Sequence, residues 1–273
     1  TMFGEGVFLI ICGLFKKAVI SDFISINFVD RVFDDPLLYT GLENLFGVYG
    51  YALQIYCDFS GYSDMAIGIA LLLGFRFNKN FDSPYKSATI TEFWRRWHIS
   101  LSSWLKDYLY ISLGGNRKGR IRTYLNLMVT MVLGGLWHGA SLRFVIWGAI
   151  HGTALAVHKG AMAMFPSFKA QGIDMKSPVR RLIGTLITFH VVCVGWIFFR
   201  AEDMKTVGDI FSQIFTSFDI SILPQFIAGY KGRMILMLVG YALHFMPDSL
   251  EARAKRIVTS MPIVLQAVVI SLL

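Results

Sequence analysis

Several stretches of this chain are apolar over lengths that only hydrocarbon or a large protein interior can accommodate, and this limits the possible fold before any motif is considered. They run over residues 3–20, 45–74, 124–142, 144–158, 182–199, 233–247 and 258–273. A helix crossing a bilayer needs about 20 mostly apolar residues, fewer where neighbours bury it. Only 16% of the 273 residues are charged and 55% are hydrophobic, whereas a soluble domain has about 25% charged residues. Within lipid, every backbone N–H and C=O must be paired internally, which helices achieve on their own. The sequence therefore predicts an all-α, polytopic membrane helical bundle.

Two of these stretches carry groups that need explaining. Residues 45–74 are too long for one ordinary span and contain Asp58, Gly61 and Asp64, so two helices broken near Phe59-Ser60-Gly61 are expected. The two carboxylates require partners at that depth, and Arg76, Arg95 or Arg96 are the candidates. Between the spans, 89–113 is an amphipathic helix that lies at an interface or re-enters the bundle. Phe93, Trp97, Leu101 and Trp104 recur there at helical spacing, while Arg95, Arg96, Ser102, Ser103, Lys106 and Asp107 take other positions.

The net charge is +8, from 26 basic and 18 acidic residues. Basic residues cluster at Lys16-Lys17, between Arg76 and Lys86, at Arg95-Arg96, from Arg117 to Arg122, at Arg180-Arg181 and from Arg253 to Arg256. No nucleic-acid motif accompanies them, so they read as cytoplasmic loops and headgroup contacts. The alternation of spans puts 76–122 in the cytoplasm. Cys12, Cys57 and Cys193 sit singly in apolar runs, without the spacing of a disulfide framework or a zinc site, and no metal is expected. Residues 4–15 are already apolar, so further helices are expected upstream of Thr1. The chain reads as one membrane domain over 1–273, most recognisable at 44–158.

Within this frame two tryptophan-histidine pairs stand out, Trp97-His98 and Trp137-His138. An ionisable ring in hydrocarbon is costly, so His138 marks a functional site by default. The plainer reading is a packing histidine bonded to a backbone carbonyl. His151, His158, His190 and His244 read as structural.

Three blocks decide between these readings. FSGYSDMAIGIALLLGFRFNKNFDSPY (59–85), FWRRWHISLSSWLKDYLYISLGGNRKG (93–119) and GGLWHGASLRFVIWGAIHG (134–152) follow one another. Together they resemble the membrane-bound O-acyltransferase superfamily, in its bacterial alginate O-acetyltransferase-like branch. The resemblance implies a multi-pass protein of the bacterial inner membrane that moves an acetyl group to a polysaccharide hydroxyl. It places the family's near-invariant histidine on His138 and a second one on His98. It also implies acetyl-CoA or an acyl-carrier thioester as donor substrate, no bound cofactor, and a partner protein on the far side of the membrane.

The chemistry fits those residues. A hydroxyl attacks a thioester poorly until a base takes its proton, and a positioned base contributes roughly 10²–10⁴-fold. A histidine kept neutral by apolar surroundings can accept that proton, which makes His138 the candidate base. Gly134, Gly135 and Gly139 leave room for substrate beside it. His98 is the second catalytic candidate, to orient the acceptor hydroxyl, polarise the carbonyl or relay a proton. Arg95 and Ser102 share its face if the helix is continuous. Trp97, Trp137, Arg95 and Ser102 are thus the substrate-binding candidates. The loop Gly114 to Arg120 is basic and glycine-rich, so Arg117, Lys118 and Arg120 would attract an anionic donor or anionic lipid. A polysaccharide or lipid-linked-sugar flippase with a histidine proton relay is the alternative, as is a non-catalytic scaffold.

Overall fold

The computed structural model describes residues 2–164, 177–262 and 265. Most of the expected 258–273 span lies outside the described residues. Helix is the only regular structure among them. In chain order, the helices used below are α1 (Met2–Leu14), α2 (Gly41–Leu72), α3 (Ile90–Arg96), α4 (Ile99–Trp104), α5 (Arg120–His138), α6 (Leu142–Met164), α7 (Pro178–Arg200) and α8 (Lys231–His244). They gather into two compact units, one of Thr1–Asn80 with Asp209–Leu273, the other Phe81–Gly208.

In the first unit, the expected break near Gly61 does not exist. α2 is one helix of 32 residues, about 48 Å long at 1.5 Å per residue. A reciprocal capping box starts it: the Glu43 N–H donates to the Thr40 hydroxyl, and the Thr40 N–H donates to the Glu43 carboxylate at 2.9 Å. Gly61 serves helix contact instead. A Cβ there would stand 2.7 Å from the Gly13 carbonyl oxygen, and one at Gly13 would stand 2.5 Å from the Gly61 oxygen. Gly6 and Gly68 repeat the arrangement at 2.7 and 2.6 Å, so small residues bring two backbones together along one seam.

The carboxylates of α2 also find different partners from those expected. Beyond α1 the helix continues in wide π-type turns over Phe15–Asp22. There Lys16 pairs with Asp64 at 2.7 Å and Lys17 with Asp58 at 2.6 Å. The ion pairs are formed across the α1–α2 seam because that seam is the nearest protein surface to both acids. Arg76, past the end of α2, reaches Glu5, and Arg96 pairs with Glu92 and Asp82.

The second unit holds both tryptophan-histidine pairs. Its helix α5 is built inside out relative to a soluble protein. Thr123, Asn126, Thr130, Gly134 and Gly135 face inward, whereas Ile121, Leu125, Val129, Leu133 and Leu136 are exposed. α7 repeats the pattern, with Leu182, Ile183, Leu186 and Ile187 outside and Thr188, Cys193 and Gly195 inside. Such surfaces suit lipid: the apolar stripe faces solvent hydrocarbon, and the polar groups bond to protein. Among the described residues, α7 is the one helix long and apolar enough by itself to cross a membrane. α5 falls short because its inward polar and glycine positions lower its average, although its outer face is apolar.

Candidate functional site

His138 is the last residue of α5, and only residues 139–141 separate it from α6. That tight return is possible because glycines meet backbone on both helices. A Cβ on Gly135 would stand 2.2 Å from the Phe144 carbonyl oxygen, and one on Gly148 would stand 2.4 Å from that of Met131. The His138 ring is consequently held between aromatic walls. Trp137 and Phe199 lie at 5.0 Å, Trp147 at 5.4 Å and Phe144 at 6.2 Å between ring centroids. No hydrogen bond to either ring nitrogen is present among the described residues, and the ring is only partly buried.

His98 comes from a different kind of segment. The expected continuous helix over 89–113 is broken at this point: α3 ends at Arg96, Trp97 is extended, and His98 adopts the left-handed conformation with φ 43° and ψ 58°. α4 then begins, and wide turns follow over Leu105–Tyr110. A non-glycine residue in the left-handed region is uncommon and tends to persist where function requires it. The break turns the ring to stack on Phe81, at 6.2 Å and 24° between planes, and sets Nδ1 3.3 Å from the Ser100 hydroxyl. Burial, and then the nearby His138, push the His98 pKa down from 6.5 to about 4. The two histidines, 40 residues apart in sequence (138 minus 98), both belong to the second unit.

The same break separates residues that helical spacing would have grouped. Arg95 is exposed on α3 and does not share a helix with His98. Ser102 donates its hydroxyl to the Trp97 carbonyl at 3.0 Å, so it braces the break itself. Trp97 is 5% exposed, so it is packed inside the unit. It stacks on Phe93 at 5.6 Å and packs against Trp196 at 5.0 Å. Trp137, at 67% exposure, is open. It borders an apolar furrow of about 400 Å³ lined by Trp104, Leu105, Leu109 and Leu133 among others.

Arg117, Lys118 and Arg120 extend from an exposed turn in which Gly114, Gly115 and Gly119 take positive φ. The backbone of that turn is pinned from inside. The Asn126 amide donates to the Leu113 and Gly115 carbonyls at 3.2 and 3.1 Å, and Tyr110 and Lys159 both donate to Asn116.

Of the remaining histidines, three are bonded or packed elsewhere, and His151 is buried with neither ring nitrogen hydrogen-bonded among the described residues. His158 bonds the Thr91 hydroxyl at 2.8 Å, His190 the Leu186 carbonyl at 2.7 Å, and His244 packs against Tyr56. His151 is fully buried among Trp94, Trp147 and Phe93. Among the described residues no three His, Cys, Asp or Glu side chains converge as a metal site would require. Sequence reasoning missed Phe144, Trp147, Trp196 and Phe199, whose shared role is visible only once α6 and α7 are packed. It also passed over Arg143, a lone charge within an apolar run, which is itself a signal.

Known proteins extend this picture. The sequence pattern of the family described as MBOAT, membrane-bound O-acyltransferase, matches residues 2–196. A probable alginate O-acetylase of Pseudomonas syringae pv. tomato is 45% identical over 237 residues, covering 87% of this chain and 43% of that protein. The peptidoglycan O-acetyltransferase of Helicobacter pylori is 38% identical over 243 residues, covering 87% and 45%. A teichoic acid D-alanyltransferase of Bacillus subtilis is 29% identical over 168 residues, covering 59% and 42%. This chain spans less than half the length of these relatives.

Proposed function

The chain belongs to the membrane-bound O-acyltransferase family, and from that premise we propose that it transfers an acetyl or other short acyl group from a thioester to a polysaccharide hydroxyl. His138 is the base. It takes the proton of the acceptor hydroxyl as that oxygen bonds to the thioester carbonyl carbon. The C–S bond then breaks, and the thiolate leaves with the proton His138 returns, giving ester and free thiol. The observation that carries this reading is the state of the His138 ring: partly open, walled by aromatics, and without a hydrogen bond among the described residues. His151, His158 and His190 are buried or tied elsewhere. The relatives named above act on alginate, peptidoglycan or teichoic acid, which supports a cell-envelope polymer as acceptor.

The donor is acetyl-CoA or a carrier-bound thioester on the cytoplasmic side, drawn by Arg117, Lys118 and Arg120. The acceptor is an alginate-like polymer or peptidoglycan, and a partner protein on the far side of the inner membrane completes delivery. The test uses membranes containing the intact protein, an acetyl thioester labelled in the acetyl group, and unacetylated polymer. Base-labile label on the polymer is the expected result. Polymer that moves across vesicles with no thioester present, and stays unlabelled with it, would overturn the reading in favour of a flippase.

His98 plays the second part, orienting the hydroxyl or carbonyl while neutral. Because its pKa is lowered to about 4, the unfolded chain binds a proton here more readily than the folded one between about pH 6.5 and 4. Stability from this group is therefore full above 6.5 and declines as pH falls through that window. His98→Gly separates fold from function. Glycine adopts the left-handed conformation without strain, so thermal stability should stay within about 1 kcal/mol of the parent. Acyl transfer should nevertheless fall by roughly 10- to 10²-fold; unchanged transfer would remove His98 from the mechanism.

A further inference from the structure

Among the described residues the His138 ring makes no hydrogen bond, so its aromatic neighbours fix where it points. Those walls in turn depend on Arg143. Its guanidinium donates to the carbonyl oxygens of Phe198 at 3.3 Å and Phe199 at 3.2 Å, and to that of Ala201. These are carbonyls at and just past the C-terminal end of α7, where the negative end of the helix dipole lies. The same guanidinium lies 4.8 Å above the Phe144 ring.

Phe144 and Phe199 are two of the four rings around His138, and they pack edge-on against each other at 5.3 Å. One cation thus ties the start of α6 to the end of α7 and holds half of the box on both sides. We propose that Arg143 is a positioning residue for acyl transfer, acting on His138 through Phe144 and Phe199. The inference rests on His138 being the base. Arg143 touches neither substrate nor the reacting atoms; it sets the angle at which the imidazole meets the hydroxyl. Misplacement of a catalytic group by about 1 Å can cost 10²-fold.

The test measures kcat and both KM values, per molecule of folded protein, for Arg143→Gln and Arg143→Lys in the intact protein. Glutamine reaches at most one carbonyl and leaves Phe144 uncovered. Its kcat should fall about 10- to 10²-fold with both KM values within about twofold. Lysine restores a charge toward the same carbonyls but not the planar cation over Phe144, so its kcat should lie between glutamine and the parent. If Arg143→Gln fails to accumulate, Arg143→Lys carries the same comparison: a lowered kcat at unchanged KM supports positioning. Parental kcat per folded molecule in either variant makes Arg143 a helix cap only and overturns the proposal. Raised KM with unchanged kcat assigns it to substrate binding and overturns it equally. His138→Ala run alongside keeps the two readings apart, because activity in that variant defeats the base assignment whatever Arg143 does.

Discussion

His138→Ala will abolish acyl transfer while leaving the protein in the membrane at parental amounts. The ring is only partly buried and makes no hydrogen bond among the described residues, so its removal breaks no bonded network there. What disappears is the proton acceptor. Loss of a positioned base lowers a rate by roughly 10²–10⁴-fold, enough to take polymer ester content to background. His138→Gln sharpens the comparison, since an amide fills most of the space yet cannot take up a proton near neutral pH. The measurement pairs ester content of the polymer with the quantity of protein in washed membranes. Ester at parental levels in either variant, with protein present, would end the role assigned to His138.

The second large effect is on the fold. Gly148→Leu should lower the amount of folded protein severely. A single Cβ there already meets the Met131 carbonyl oxygen at 2.4 Å and the Val132 Cα at 2.8 Å. Both are backbone, so α5 and α6 must move apart, and no rotamer change relieves the clash. Overpacking typically costs 1–3 kcal/mol and more where backbone must shift, against a total stability of about 5–15 kcal/mol. His138 sits at the end of α5 and Trp147 on α6, so the same displacement opens the site. Gly232→Ala, a position with nothing within 4 Å of the added carbon, is the control and should melt at or slightly above the parent. A Gly148→Leu protein that accumulates and melts like the parent would show that the two helices are not in fact held at this distance.

Much of this was readable from the chain. The apolar runs 124–142, 144–158 and 182–199 correspond to α5, α6 and α7 within a few residues, because hydrophobic length is a local property. What failed depended on neighbours. Gly61 lies among residues that would break a helix in isolation, but its use is to admit Gly13, and that requires knowing that α1 and α2 are partners. The break at His98 was hidden for the opposite reason. Phe93 and Trp97 bury the same side as a straight helix would, and no glycine or proline marks the turn, so the spacing looks unbroken. His138 and His98 were found from their surroundings in sequence. Three of the four rings that hold His138 came from α6 and α7, up to 61 residues away at Phe199 (199 minus 138), beyond the reach of any periodicity.

The clasp of Asn126 on the basic turn bears on how such a protein can change over time. Because Leu113 and Gly115 are held from within, the turn keeps its course whatever occupies 117, 118 and 120. Selection can therefore add, remove or invert charges at those three positions without disturbing the helices or the histidines. On the function proposed above, diversification of what docks at this rim is uncoupled from preservation of the chemistry. Lineages that differ in donor would then be expected to diverge first here, with Asn126 unchanged beneath.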